Sequence, residues 1–351
     1  MKILKYTSLV IFTLLFVGYL LLQNHTVQNR LFENTVKELF KADEIFMSDA
    51  LSVAVCGSRA PLPSPNRAET CLLVQAGSSK FIFDLGEGSA ANLQNWQVDY
   101  SDLEAVILSH LHSDHISDVP EVQFQTWLGG RKEPLTVLGP IGTKSTIQGF
   151  TSAYKLDAYY RSEHHGPELL PIEAYGYVVT EFDGDSEVIF QNEDTKVTAF
   201  KVDHFPVDPS YGFKVEFKDR SIVISGDTIA LEVVVEYSKG VDVLFHDALA
   251  KPLIDRMIKV SDELENNVIS KVLFDIKNYH ADTIEVAEIA KKSEVDLLVF
   301  YHLIPAPRNQ TSEQMFLRGV DEIFTNYHVS EDGTLVSLPA GSEEILIDLI
   351  D

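Results

Sequence analysis

Short apolar runs closed by polar or glycine-containing turns recur along most of the chain. They fall at 52–56, 70–76, 80–85, 135–139, 196–202, 211–217, 221–225, 241–246 and 295–301. Runs this short, bounded by turn residues, read as buried strands. Ala105-Val106-Ile107-Leu108 is one more. Between them, 118–128, 142–155, 252–269, 282–292 and 311–321 place apolar residues at three-to-four spacing, the signature of a helix with one buried face. Strands and helices mix without an internal repeat or a Pro/Gly linker, so one layered α/β domain over 49–351 is expected.

The beginning of the chain follows a different pattern. Lys2 and Lys5 precede Tyr6 to Leu22, seventeen mostly apolar residues without a charge, and polar Gln23-Asn24-His25 follows. The run is long for a signal-peptide core, slightly short for a span, and lacks a small-x-small cleavage site. An uncleaved membrane anchor over 1–22 is expected, with a cleaved signal as the alternative. The lysines keep the N-terminus cytoplasmic and put the main domain on the extracytoplasmic side, periplasmic or secreted. Residues 23–48 are polar with a helical pattern and read as a stalk.

Charge changes the picture of partners. With 28 Lys and Arg against 53 Asp and Glu, the net charge is −25, a field that repels polyanions and argues against nucleic acid. The two cysteines, Cys56 and Cys71, have no CxxC partner and lie on or beside strands expected to be neighbours. A disulfide and two buried thiols are both open on this reading.

The chemistry centres on Ser109-His110-Leu111-His112-Ser113-Asp114-His115, where the strand ending at Leu108 gives way to a loop. α/β proteins bind ligands at such strand ends. Alternation sends His110 and His112 to one side of an extended chain, able to grip one cation, while Asp114 and His115 follow a turn and can serve a second. Three imidazoles and a carboxylate suit zinc better than Mg²⁺ or Ca²⁺. Later strands also end in ligand types: His204 after Val202-Asp203, Asp227 after Ile224-Ser225-Gly226, and His302 after Phe300-Tyr301.

From about Val53 to Gly341 this set resembles the metallo-β-lactamase superfamily, in its ribonuclease Z-like and arylsulfatase-like branch. The resemblance rests on Gly57-Ser58 with Pro61 and Pro63, Phe83-Asp84-Leu85-Gly86-Glu87-Gly88, the HLHSDH loop, His204 before Tyr211-Gly212, Ser225-Gly226-Asp227-Thr228, His280 and His302. It implies a four-layer αββα sandwich and two Zn²⁺ per chain, with manganese or iron as alternatives. His110, His112 and His204 would hold the first ion, and Asp114, His115 and His302 the second, with Asp227 bridging. A metal-activated hydroxide would then be the nucleophile, oriented by Asp114. Asp84 reads as a residue behind the ligands, fixing a histidine tautomer. His280 matches a family histidine beside the leaving group. Its family partner is a glutamate, where this chain has Asp247 in Phe245-His246-Asp247-Ala248.

The tRNA-processing members carry a protruding Gly/Pro-rich arm between the histidine loop and the next histidine ligand, and this interval has none. The stretch Tyr160-Arg161-Ser162-Glu163-His164-His165-Gly166, the Trp127–Arg131 segment and the Asp332-Gly333 tail resemble exported hydrolases of the family, including the type linked to guanitoxin biosynthesis. Arg161, His164 and His165 are candidates to hold an anionic substrate, although Arg161 can instead bridge to Asp157 one helical turn away. Trp127 and Tyr160 read as core residues sooner than as pocket walls.

The expected function is therefore hydrolysis of a small anionic ester, either a sulfate ester or a phosphodiester. The alternatives are a ribonuclease Z-type tRNA 3′-endonuclease and an iron-dependent oxidoreductase on the same fold. A homodimer is compatible with the resemblance, but no segment specifies an interface.

Overall fold

The structure is a computed structural model that describes residues 2–39, 41, 45–101 and 103–350, without the side chains of 2–10 and 38–39. The side chains of Lys2 and Lys5, and residues 40 and 42–44 of the expected stalk, lie outside this description. By contacts the chain divides into two units. The first holds α1 (Lys2–Leu22) and α2 (His25–Leu39), with residues 97–99. From Ile11 to Leu22 the side chains of α1 are almost all exposed. Among the described residues, no helix is long and apolar enough to cross a membrane.

The second unit runs through β1 (Ala50–Gly57), β2 (Cys71–Ala76), β3 (Ser79–Phe83), α3 (Ser89–Asn95), β4 (Leu103–Ile107), α4 (Ser113–Ile116), α5 (Val119–Leu128), β5 (Leu135–Pro140), α6 (Thr143–His165) and β6 (Tyr177–Phe182). It continues through β7 (Ser186–Gln191), β8 (Thr195–His204), β9 (Val207–Phe217), β10 (Arg220–Ile224), α7 (Glu232–Ser238), β11 (Val243–Leu249), α8 (Lys251–Glu263) and α9 (Asn267–Asp275). The last elements are α10 (Thr283–Ser293), β12 (Leu297–Ile304), α11 (Gln310–Phe316), β13 (Tyr327–Val329), β14 (Thr334–Pro339) and β15 (Leu346–Leu349).

The described strands form two sheets, ordered β15-β14-β1-β2-β3-β4-β5-β6 and β13-β12-β11-β10-β9-β8-β7. Their inner faces share one apolar layer, in which Val53, Phe81, Phe83 and Ile107 of the first sheet meet Phe213, Ile222, Phe245 and Val299 of the second. Helices cover the outer faces. Val234 of α7, with Val286 and Ala290 of α10, packs on Leu244 and Leu298. Trp127 of α5 and Ala158 of α6 form a separate cluster. This is the expected four-layer αββα sandwich.

Strand direction places the chemistry. β10, β11 and β12 pair in parallel, and β8 lies two antiparallel steps from β10, so all four run the same way. Their C-terminal ends line one edge of the second sheet. In the first sheet β3, β4 and β5 are parallel, and β4 ends just before the histidine loop.

Several elements differ from expectation. The segment expected as one helix over 252–269 is two, because Glu265 takes a left-handed φ of 54° and Asn266 then caps α9 by accepting from the Ile269 N–H at 3.2 Å. α6 continues ten residues past 155, to His165. β6, β7, β13, β14 and β15 were not anticipated, since their apolar stretches run to three residues at most, as in Val188-Ile189-Phe190 of β7 and Leu346-Ile347 of β15. Cys56 and Cys71, left open by the sequence, form a disulfide between neighbouring β1 and β2, with Cα atoms 4.9 Å apart.

Candidate metal centre

β4 ends among buried apolar neighbours, and the chain stays extended to His112 before Ser113 starts the single turn of α4. That change of backbone turns Asp114 and His115 inward, where both are buried beside His110. The turn rests on Gly86, where a Cβ would come within 2.1 Å of the Asp114 carbonyl oxygen. Asp227 is carried by an equally tight corner. Gly226 has a φ of 62°, and a Cβ there would lie 2.2 Å from the Tyr211 carbonyl oxygen. Asp84 and His302 also occupy the left-handed region, with φ of 58° and 45°. Such conformations cost a non-glycine residue about 1 kcal/mol or more and cluster at functional sites.

The side chains converge on one carboxylate oxygen. Asp227 Oδ2 lies 3.2 Å from His302 Nε2, 3.3 Å from His115 Nε2, 3.8 Å from His204 Nε2 and 3.9 Å from His110 Nε2. His112 Nδ1 is 2.9 Å from His110 Nε2 and 3.4 Å from His204 Nε2. Asp114 Oδ2 is 3.3 Å from His302 Nε2 and 3.5 Å from His115 Nε2. The structure therefore brings together all seven expected ligands: His110, His112 and His204 in one group, Asp114, His115 and His302 in another, with Asp227 between.

The far sides of the rings are tied down. His115 Nδ1 donates to Asp84 Oδ2 at 2.8 Å, and Asp84 also accepts from the Ser109 N–H and hydroxyl at 2.8 and 2.7 Å. His204 Nδ1 donates to the Tyr279 carbonyl at 2.9 Å. Each bond fixes the ring's orientation and points Nε2 into the cluster, where it would be the ligand atom for a bound cation. His115 Nε2 and Asp227 Oδ1 are buried with no hydrogen-bond partner among the described residues. Buried polar atoms without partners are costly, and donors that converge unpaired are what a cation satisfies.

Electrostatics divide the cluster. Burial works against charging His115 and His302, but Asp227 and Asp114 outweigh it and raise both above the ordinary histidine value, so protons stand where a cation would balance the carboxylates. Burial pushes His110 well below the ordinary histidine value and His204 down to about 4, so both are neutral near pH 7, as metal ligands must be. Burial works against ionisation of Asp114 and Asp227, but neighbouring histidines outweigh it. His115 and His302 hold Asp114 at about 2 and keep Asp227 well below the usual carboxylate range.

Behind the cluster, His280 Nδ1 bonds Asp247 Oδ2 at 2.9 Å, and its ring stacks on that of His302 with centroids 5.3 Å apart. Asp247 is fully buried and also faces His246 Nδ1 at 3.0 Å. Donor atoms of Asp247 and His280 lie within 4.8 Å of those of Asp227 and His302, so the relay and the ligand cluster are continuous. Sequence reasoning gave no role to His246, Ser225 or the Tyr279 carbonyl. The Ser225 hydroxyl accepts from the Asp247 N–H at 3.0 Å and holds the carboxylate's backbone. Its position between an apolar strand and Gly226 was the available signal.

The substrate-contact candidates lie elsewhere. Arg161 is engaged by Asp157 at 2.8 Å and lies over the Phe124 ring at 4.2 Å. His164 and His165 are exposed in the last turn of α6. The end of α6 beside the histidine loop is the other one, where Gly142 packs against Leu111. About 27 Å of helix rise separate Thr143 from Arg161, so this chain does not bring the three residues to its own cluster. The intrahelical pair one turn away was the competing arrangement, and it is the one formed. Trp127 is buried in the core, its Nε1 donating to the Pro171 carbonyl at 3.0 Å, whereas Tyr160 is exposed.

A family model described as "Anti-Pycsar protein Apyc1" matches residues 64–255, more than half of the chain. A ribonuclease Z of Mycobacterium marinum is 32% identical over 261 residues, covering 73% of this chain and 87% of the relative. Among solved structures, the metallo-β-lactamase-fold protein YhfI from Bacillus subtilis aligns with a TM-score of 0.61 at 19% identity, over 82% of this chain and 100% of that one. The short form of human tRNase Z aligns with a TM-score of 0.57 at 22% identity, over 82% and 99%.

Proposed function

Because the chain belongs to the metallo-β-lactamase superfamily, within its ribonuclease Z-like branch and the family that the Apyc1 model describes, we propose that it is a metal-dependent phosphodiesterase of ribonuclease Z type. The observation that carries this reading is the convergence of buried imidazoles and carboxylates on Asp227, with a carboxylate-held histidine, His280, beside them. His110, His112 and His204 would hold one ion and Asp114, His115 and His302 a second, with Asp227 between; the donor set suits zinc, with manganese or iron as alternatives. Bound there, the ions supply Lewis acidity that lowers the pKa of water and polarises the phosphoryl oxygens.

The chain's own residues do the rest. Asp114, ionised at neutral pH, accepts a hydrogen bond from the attacking water and orients it. His280 donates a proton to the departing oxygen, and Asp247, bonded to its Nδ1, stabilises the imidazolium and fixes the ring. Asp84 holds His115 and the Ser109 backbone, so the loop presents its ligands in one arrangement.

A second reading, hydrolysis of a small anionic ester, is favoured by the net charge of −25, which opposes approach of a polynucleotide. The test uses the full chain in detergent, loaded with zinc, against bis-p-nitrophenyl phosphate, p-nitrophenyl sulfate, a lactone and a precursor transfer RNA. Turnover of RNA or of the phosphate diester, lost in Asp114→Ala, supports the proposal, and RNA turnover alone would exclude the small-ester reading. Turnover of the sulfate alone would contradict it, as would one iron per chain with no hydrolysis at all.

We also propose that α1 anchors the protein and that the hydrolase unit lies on the extracytoplasmic side. The exposed apolar side chains of α1 and the Cys56–Cys71 disulfide support this. Carbonate-washed membranes should retain the full chain, and recovery in the soluble fraction would overturn the idea.

A further inference from the structure

Beside the ligand cluster lies a cavity of about 440 Å³, lined by His112, His204, Phe205, Pro206, Asp275, Asn278 and Tyr279. It opens directly on two of the candidate ligands. Phe205, the residue after His204, is 75% exposed, the highest value among the large apolar side chains of this unit. A benzyl group left this wet gains nothing from the core, and its ring makes no aromatic pair among the described residues. The loop that carries it is nevertheless held, because the Phe205 N–H donates to Asp203 Oδ1 at 3.0 Å.

Tyr279 is the other aromatic of the cavity. Its ring meets His204 edge-on at 5.1 Å and His280 at 5.0 Å, so two histidines of the site hold it in place. Asn278, exposed beside it, makes no side-chain hydrogen bond among the described residues and offers both donors and an acceptor. An exposed ring, a clamped ring and a free amide next to a phosphodiester centre match a flat, aromatic ligand with polar edges.

We infer that this cavity is a nucleobase subsite: the base of the substrate stacks on Phe205 and Tyr279, and its edge is read by Asn278, while the attached phosphodiester lies at the ligand cluster. This rests on the phosphodiesterase reading for its substrate but not for its test. Stacking on one aromatic side chain typically changes affinity by about tenfold or more when the ring is removed. Every base has a π-face, so the contact favours nucleotides as a class; Asn278 supplies the discrimination among them.

The test is binding, read by fluorescence anisotropy of 1,N6-ethenoadenosine 5′-monophosphate on the zinc-loaded full chain, with unlabelled ribose 5-phosphate as a base-free competitor. Phe205→Ala is expected to weaken the fluorescent nucleotide about tenfold, and Phe205→Trp to restore it. Ribose 5-phosphate should compete within twofold of its wild-type strength in both variants. Equal weakening of both ligands, or no weakening of either, would overturn the subsite, as would failure of the wild-type chain to prefer the nucleotide over ribose 5-phosphate. If the nucleotide binds as expected but no diester is hydrolysed, the phosphodiesterase reading fails and the subsite stands.

Discussion

His280 is the residue whose role depends most on its neighbours. Asp247, fully buried, sits at 2.9 Å from its Nδ1, and the ring stacks on His302. A histidine that protonates a leaving oxygen matters in proportion to how poor that leaving group is. His280→Ala is expected to lower kcat about 10²–10⁴-fold for a diester with an alkyl or ribose leaving group. The loss should be far smaller with p-nitrophenol, which departs unaided. Equal losses for both leaving groups would mark His280 as structural. Asp247→Asn should follow the same pattern at about 10–100-fold. At this scale the ligand residues were legible because His204, Asp227 and His302 close or directly follow apolar strands, and His110, His112, Asp114 and His115 crowd the turn that follows another, where a His or Asp has no packing reason to stand. For Arg161, His164 and His165 residue type was legible and direction was not: the helix that carries them points their end away from the histidine loop of the same chain. His246 went unread because a histidine inside an apolar strand looks the same whether it packs or bonds a carboxylate.

At the scale of elements, two ties hold the end of β1 to the segments that follow it. The Cys56–Cys71 disulfide closes a loop with a sequence separation of 15. Constraining the unfolded chain over such a loop contributes about 3 kcal/mol. Cys56→Ser with Cys71→Ser should lower the urea midpoint accordingly, and an unchanged midpoint in oxidising buffer would show that the bridge does not form. The second tie is Asp332, which accepts from the Ser58 N–H and hydroxyl at 3.1 and 2.6 Å, the Ala68 N–H at 2.6 Å and Asn92 Nδ2 at 2.8 Å. Asp332→Ala removes the shared acceptor of four donors, of which Asn92 Nδ2 keeps the Cys56 carbonyl at 2.9 Å, and should cost about 3 kcal/mol by urea unfolding, more than Asp332→Asn. Similar midpoints for the two variants would contradict that account. Central strands were legible from their apolar runs. Edge strands such as β7 and β15 were not, since their apolar stretches are only two or three residues long and lie exposed or half-buried. The break between α8 and α9 hid inside a continuous helical period, marked only by Glu265-Asn266.

For the molecule as a whole, charge separates the two substrate readings. A protein that binds RNA through a basic surface loses affinity steeply as salt rises, because binding releases counterions. Around a chain of net charge −25, screening removes a repulsion instead. If RNA is the substrate despite that field, its KM should fall or hold steady between 50 and 200 mM salt. A KM that climbs by orders of magnitude would reveal a basic docking surface that neither the composition nor the cluster discloses. A small diester should be nearly indifferent to salt over the same range.

Asp227 is proposed to sit at the middle of a two-ion phosphodiester centre. Its most direct test is a zinc titration of the metal-stripped full chain, with bound metal and bis-p-nitrophenyl phosphate hydrolysis measured in the same samples. Activity should rise until two equivalents are bound per chain, with Asp227→Ala failing to reach it at any zinc concentration. Full activity at one equivalent or none, or two bound ions without turnover of any phosphodiester, would contradict it.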